Sequence, residues 1–186
     1  MTTVNANNSN EAELFVENFT NNIFKTITDT NISNEEVAVL LSSEIKQNID
    51  FNYICKFIIG RYWRNADSNF KSSFRELYES FLINTYAPQF KGYNGESYKI
   101  IKTKEIRPNR FSTNIVFITE HKTQLNVIIY FIRNKQNQFK IVDITGEGIS
   151  LIASQREEFG SIISNYGLDY FLTSFKDRVT KLQNNS

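Results

Sequence analysis

The stretch FKIVDITGEGISLIASQREEFGSIISNYGLDY, residues 139–170, decides the fold, because its strand, turn and helix can all be placed from local pattern. It opens with β-branched and aromatic residues from Phe139 to Ile144, which favour a strand. Gly146 and Gly148 follow, and glycine turns a chain without steric cost. The sequence therefore predicts a strand that leaves its sheet through a glycine turn.

Beyond the glycines, the sequence predicts a helix that begins at Ser154. Ser154 and Glu157 have the spacing of a capping box, in which each side chain satisfies a backbone N–H group of the first turn. Gly167 stands where the helix should end, since glycine adopts the left-handed conformation common there. The apolar stripe of this helix consists of Phe159, Ile162 and Ile163.

Helical periodicity also dominates the first half of the chain. Residues 1–10 are polar, and we expect them to be disordered. Capping residues and a proline then delimit four helices. These are about Glu11–Thr28, a second capped by Ser33 and Glu36, a short third capped by Asp50 that ends near Gly60, and a fourth that opens near Asp67 or Ser68 and ends before Pro88.

From Tyr93 the period of the apolar residues changes to two, which indicates strands. Short polar connections make the strands sequential and antiparallel. The fold class is therefore α+β, with N-terminal helices, a four-stranded antiparallel twisted sheet and C-terminal helices in one domain over residues 11–183. The predicted strands are Tyr98–Lys104, Phe111–Thr119, Gln124–Arg133 and Phe139–Ile144, and the closing helices are Ser154–Asn165 and Asp169–Leu182.

Both faces of the predicted central strands are apolar. In the third strand, Val127 and Ile129 point one way and Ile128 and Ile132 point the other. An ordinary antiparallel sheet leaves one face polar and solvated. Either helices cover both faces of this sheet, or one face lines an internal cavity.

Charge and composition exclude several classes of protein. The chain has 21 basic and 20 acidic residues, so it lacks the basic footprint of a nucleic-acid-binding protein. No run approaches the ~20 apolar residues of a membrane span. The first ten residues, MTTVNANNSN, have neither the basic nor the apolar part of a signal peptide.

The spacing of residues indicates neither a metal site nor a nucleophilic catalytic site. His121 and Cys55 are the one histidine and the one cysteine, and they lie far apart, without ligand spacing. A lone cysteine allows no intrachain disulfide. No G-x-S-x-G elbow is present. We expect no metal and no cofactor, with Cys55 as a small buried hydrophobe.

Asp143 leaves one catalytic alternative open. It shares a strand face with Phe139 and Ile141, if the alternation of side chains is regular. A carboxyl group in apolar surroundings can act as a general base, and the chain would then be a small enzyme acting on an apolar ligand. Otherwise Asp143 makes a structural hydrogen bond, with Arg156, Tyr98 or a neighbouring loop as candidate partners.

Three blocks of this sequence together resemble the MlaC family, also called the toluene-tolerance family. The first surrounds the glycine turn, with Asp143, Glu147-Gly148-Ile149-Ser150, Gln155-Arg156, Phe159, Ile162 and Gly167-Leu168-Asp169. The second is ICKFIIGRYW, residues 54–63. The third runs from Phe74-Arg75-Glu76 through Tyr86 to Tyr93-Asn94-Gly95-Glu96.

The resemblance implies a soluble phospholipid carrier of the Gram-negative periplasm, not an enzyme. Family members shuttle lipids between the outer and inner membranes and so maintain outer-membrane lipid asymmetry. Their partners are an outer-membrane lipoprotein–porin complex and an inner-membrane ABC transporter with a lipid-binding subunit. Because family members are exported, we expect Met1 to be an added start. A monomer is expected.

The resemblance also favours a cavity over plain core, because the family folds its sheet and helices around a pocket for acyl chains. Arg61, Tyr62, Trp63 and Arg64 suit a lipid headgroup region, since aromatic rings have an apolar body and a polar edge, although arginines also favour the end of a helix. The residues expected to bind lipid are Val116, Ile118, Val127, Ile129, Phe131, Ile141, Ile149, Ile152, Phe159 and Ile163, followed by Phe51, Ile54, Ile58, Phe74 and Leu77.

Overall fold

The structure, a computed structural model, describes residues 3–29, 31, 33–86, 97–118 and 123–184. Its helices are α1 (Thr3–Thr28), α2 (Asn34–Asn48), α3 (Phe51–Ile59), a 3-10 helix (Gly60–Arg64), α4 (Ser68–Tyr86), α5 (Leu151–Tyr166) and α6 (Leu168–Asn184). Its strands are β1 (Ser97–Arg107), β2 (Arg110–Ile118), β3 (Gln124–Arg133), β4 (Phe139–Gly146) and β5 (Ile149–Ser150). Pro88, the block Tyr93–Glu96 and His121 lie outside the described residues.

The chain packs as two compact units, each built from two separate stretches. The first unit comprises Met1–Ile49 and Gly92–Leu151, and the second comprises Asp50–Lys91 and Ile152–Ser186. One domain over residues 11–183 was predicted. The sequence carries no sign of the division, because stretches that associate at a distance leave no linker or change of composition between them.

The first unit holds an antiparallel sheet in the order β1-β2-β3-β4-β5, with every neighbour hydrogen-bonded in sequence. This confirms the predicted α+β fold and its meander, with the short β5 as an additional strand. Glu147 and Gly148 join β4 to β5 with φ values of 47° and 83°, the left-handed pair of a tight hairpin turn. The glycine turn was therefore placed correctly, but it leads into a fifth strand.

The sheet packs against α1 through one of its two faces, which we call the first face. Ala12 and Val16 of α1 lie fully buried in its core. The ring of Phe15 lies tilted against two others, with its centroid 5.5 Å from that of Phe131 and 5.4 Å from that of Phe139. The first-face strand residues in this core are Phe111, Ile115, Ile129, Phe131 and Ile141.

Helix caps were predicted with mixed success. Ser33 and Glu36 form the expected capping box, and Asp50 caps α3 by accepting a hydrogen bond from the Tyr53 N–H. The cap at Ser154 is wrong, because α5 begins at Leu151, directly after β5, and Ser154 lies inside the helix. The helix follows β5 without an intervening turn, so it starts three residues before the predicted cap.

The start of the chain also differs from expectation. Helix α1 begins at Thr3, so the prediction of disorder over residues 1–10 is wrong for residues 3–10. Extending an existing helix adds one backbone hydrogen bond for each residue fixed. Polar residues can therefore continue a helix whose apolar stripe is anchored further along the chain.

The second unit is helical, with an aromatic core formed by α4, α5 and α6. Phe74 of α4 is fully buried, and its ring lies 5.6–6.3 Å from the rings of Phe159, Phe171 and Phe175. The Tyr78 hydroxyl donates a 2.5 Å hydrogen bond to Gln155 Oε1 inside the same core. A buried amide oxygen needs such a donor, because leaving it unpaired costs about 1–3 kcal/mol.

Candidate functional site

The face of the sheet opposite α1, which we call the second face, is the candidate functional site. Strand register defines it, since directly paired residues share a face. Ser112 pairs with Tyr130, and Asn114 pairs with Ile128. Tyr130 and Ile128 in turn pair with Asp143 and Thr145 of β4. On β2, β3 and β4 the second face consists of Arg110, Ser112, Asn114, Val116, Ile118, Gln124, Asn126, Ile128, Tyr130, Ile132, Lys140, Asp143 and Thr145.

The apolar part of the second face is neither core nor ordinary surface. Val116, Ile118, Ile128 and Ile132 are all half-buried. On the first face, by contrast, Ile129 and Phe131 are 4% and 1% exposed. The two faces of one strand thus differ in accessibility although both are apolar, and the second face retains apolar surface that a ligand could cover.

A row of polar groups crosses the second face. Ser112 and Thr145 are buried, and Asn114 Oδ1 is buried without a hydrogen-bond partner among the described residues. Ser150 Oγ donates a 2.6 Å hydrogen bond to Asp143 Oδ2. The second face is therefore amphipathic, with hydrogen-bonding groups beside aliphatic side chains.

Asp143 lies on the second face because of a β-bulge. The register of β4 shifts between the partners Tyr130 and Phe131, so that Phe131 pairs with Ile141 and Tyr130 with Asp143. The prediction that Asp143 shares a face with Phe139 and Ile141 is therefore wrong, since a bulge inserts one residue and reverses the alternation. Its hydrogen bond from Ser150 agrees with the structural interpretation of this carboxylate.

The predicted lipid-binding residues of the first unit divide between the two faces. Val116 and Ile118 lie on the second face, whereas Val127, Ile129, Phe131 and Ile141 lie on or beside the core under α1. The strand ends predicted for β2 and β3 would pair Thr119 with Gln124, which places Val116 opposite Val127. In the structure Gln124 pairs with Ile118, and a shift of one residue moves every side chain to the other face.

Among the aliphatic and aromatic residues of the second face, Ile128, Tyr130 and Ile132 were not selected from the sequence. Their alternation with Val127 and Ile129 was visible, but the register that joins them to Val116 was not. Ile149, which was selected, is 67% exposed at the β4–β5 hairpin. In the second unit Leu77 is half-buried, and the remaining selected residues are buried, namely Phe51, Ile54, Ile58, Phe74, Ile152, Phe159 and Ile163.

A groove of about 550 Å³ runs along the second unit beside the 3-10 helix. Arg61 donates a 2.8 Å hydrogen bond to Tyr62 Oη, and this bond, together with one from Ser164, lowers the pKa of Tyr62. Arg156 donates to the Phe57 carbonyl oxygen at 2.9 Å. Of the four residues predicted for a headgroup region, Arg61 and Tyr62 line this groove, whereas Trp63 and Arg64 are not among its lining residues.

Cys55 is fully buried, and burial is the main cause that raises the pKa of its thiol from 9.0 to about 12. The described residues contain no cluster of three or more His, Cys, Asp or Glu side chains that could hold a metal ion. The structure thus places this cysteine where thiolate chemistry is disfavoured.

We expect Cys55 to resist the thiol reagent DTNB in the folded protein at pH 8 and to react once urea unfolds the chain. Because its folded-state pKa lies above the unfolded value, the thiol stabilises the fold below pH 9, and this contribution is lost as the pH rises toward 12. Between pH 8 and pH 10, the free energy of unfolding from urea titration should fall further in the wild-type protein than in Cys55→Ser. Rapid labelling of the folded protein would contradict the burial of this thiol.

No helix among the described residues is both long and apolar enough to cross a bilayer.

Comparison with known proteins identifies relatives of this chain. The family described as MlaC protein matches residues 17–177. The intermembrane phospholipid transport system binding protein MlaC of Haemophilus influenzae is 19% identical over 148 residues, which cover 78% of this chain and 69% of that protein. The solved phospholipid-binding protein of Ralstonia solanacearum, in complex with a phospholipid, is similar with a TM-score of 0.81 at 18% identity, covering 90% of this chain and 96% of that one.

Proposed function

Since the chain belongs to the MlaC family, we propose that it binds phospholipid and carries it between membranes. The Haemophilus influenzae relative is by its name the binding protein of an intermembrane phospholipid transport system. The protein of similar fold from Ralstonia solanacearum was solved with a phospholipid bound. Both comparisons support binding as the work of this chain.

The second face of the sheet is the observation that carries the proposal. It combines half-buried aliphatic side chains such as Val116 and Ile128 with a buried polar row that includes Asn114 and Thr145. Aliphatic side chains suit acyl chains, and hydrogen-bonding groups suit the ester and glycerol region next to them. Plain core would leave no reason for an unpaired amide oxygen, which costs about 1–3 kcal/mol.

The energy of the cargo explains why a carrier is needed. Two acyl chains of about sixteen carbons, at ~0.8 kcal/mol for each CH₂, cost on the order of 25 kcal/mol to expose to water. Free diffusion between membranes is therefore too slow to matter. A carrier whose apolar surface matches a bilayer makes release and uptake nearly balanced, so direction must come from partners.

We infer the setting from the family resemblance, as a further part of the proposal. We place the protein in the periplasm of a Gram-negative bacterium, as a monomer without cofactor. It would receive or deliver lipid at an outer-membrane lipoprotein–porin complex and at an inner-membrane ABC transporter. In this arrangement it helps to keep the outer membrane asymmetric.

Native mass spectrometry of the protein purified from a bacterial host tests the carrier function. We expect a mass excess equal to one diacyl phospholipid, lost on organic extraction and regained after incubation with phospholipid vesicles. Lipid analysis of the extract then identifies the headgroup and the acyl chains. An unliganded mass that stays unchanged after incubation with vesicles would overturn the proposal.

A further inference from the structure

The edge strand β1 carries an unusual concentration of positive charge. Residues 97–118 hold five basic side chains and one acidic one. Because the whole chain has 21 basic and 20 acidic residues, the remainder has 16 basic against 19 acidic. The near-neutral total therefore hides a basic hairpin on an otherwise slightly acidic protein.

The charges lie along one side of the sheet. Lys99, Lys102 and Lys104 are exposed, and they pair with Val116, Asn114 and Ser112. The strand register thus puts all three lysines on the side of the second face. The one acidic residue of this segment, Glu105, accepts a hydrogen bond from the Asn109 N–H at 2.9 Å.

Two isoleucines stand out on the same strand. The register of β1 against β2 shifts twice, and the residues skipped by the pairing are Ile101 and Ile106. Their side chains are 50% and 44% exposed. Together the two shifts place two exposed aliphatic side chains on the strand that carries the lysines.

The same features argue against a second polypeptide adding a strand to this edge. Lysines and bulges on an edge strand interrupt the flat row of backbone groups that strand addition requires. The edge of β1 can therefore bind another surface only through its side chains. The lysine ammonium groups would contact negative charge, and the two isoleucines would contact an apolar layer. An anionic bilayer surface offers both, phosphate groups above acyl chains, across an area as broad as the strand.

We propose that the edge of β1, formed by Lys99, Lys102, Lys104, Ile101 and Ile106, docks this protein directly on anionic phospholipid membranes. The lysines contact the headgroups and the isoleucines enter the interface. The docking surface goes beyond the proposed carrier function. The docking proposal can be wrong while the carrier function is right, because membrane docking and lipid occupancy are measured separately.

Flotation with vesicles of phosphatidylethanolamine and phosphatidylglycerol tests the docking surface, with phosphatidylcholine vesicles as the neutral comparison. We expect the protein to float with the anionic vesicles at low salt and to be released at about 1 M salt, where the Debye length is about 3 Å. The triple variant K99E/K102E/K104E should bind at least about a hundredfold more weakly, because each change removes an attraction and adds a repulsion. The double variant Ile101→Ser and Ile106→Ser should bind the anionic vesicles at least severalfold more weakly. Its binding should keep the same salt dependence, because the lysines are still present.

A matched control reverses three exposed lysines away from β1, at Lys56, Lys135 and Lys176. It has the same net charge as the triple variant and should still float. Equal loss in both variants, equal binding to neutral vesicles, or no flotation at low salt would overturn the proposal. Native mass spectrometry of the same samples keeps the outcomes apart, since a variant that fails to float but still carries lipid leaves the carrier function intact.

Discussion

Arginine at position 128 is expected to empty the protein of lipid without unfolding it, whereas arginine at position 129 is expected to unfold the first unit. Ile128 is half-buried on the second face. Its neighbour Ile129 is 4% exposed inside the core beneath α1. An arginine on the second face would place a charge against acyl chains, while one at position 129 would be buried without a partner.

The expected magnitudes separate the two variants clearly. An unpaired buried charge costs several kcal/mol, which is about the whole stability of a typical domain. Ile129→Arg should therefore lose its circular dichroism signal or its cooperative urea transition. Ile128→Arg should keep both and show less than a tenth of the wild-type lipid in its native mass spectrum.

Leu125→Arg is the matched control, because Leu125 lies on the first face but is 42% exposed. It should change stability by no more than about 0.5 kcal/mol and should keep its lipid. If Ile128→Arg folds and carries a full complement of phospholipid, the second face is not where the ligand binds.

Phe74→Ala is expected to cost about 3–5 kcal/mol of unfolding free energy in the second unit. Phe74 is fully buried, and its ring meets those of Tyr78, Phe159 and Phe171 within 6.3 Å. Truncation removes the apolar contacts of the ring and leaves a cavity. The surrounding rings belong to three different helices and cannot all move to fill it. Urea denaturation followed by circular dichroism measures the loss.

Tyr166→Ala provides the comparison for Phe74. The ring of Tyr166 also contacts another ring, that of Tyr170 at 4.8 Å between centroids, but Tyr166 is 64% exposed. Its removal should cost less than about 1 kcal/mol. A similarly small cost for Phe74→Ala would mean that the aromatic core is loosely packed and does not hold the second unit together.

Local signals in the sequence placed most of the secondary structure. The alternation of apolar residues located β3 at Gln124–Arg133, the bounds that the structure has. Short-range chemistry located the caps at Ser33 and Asp50 and the left-handed residue Gly167 after α5. Each of these features depends on residues within one turn or one strand, so a window of sequence contains its cause.

The family was also recognisable from the sequence. The blocks around Asp143, Gly148 and Gln155 carry structural work in the fold. Asp143 accepts a hydrogen bond from Ser150, Gly148 adopts a positive φ, and Gln155 accepts one from Tyr78. Each of these contacts needs the residue type that the resemblance was based on, a carboxylate, a glycine or an amide, at that position of the fold.

Local sequence signals did not predict which residues come together in the candidate site. Val116 joins Ile128 on one face only because Ile118 pairs with Gln124 and not with Leu125. Asp143 reaches that face only through the bulge in β4. Register and bulges are set by which long-range pairing buries the most apolar surface, and a shift of one residue exchanges the faces. Sequence therefore determined that both faces of the central strands carry apolar residues, and packing of the sheet against α1 determined which face became core and which became the candidate site.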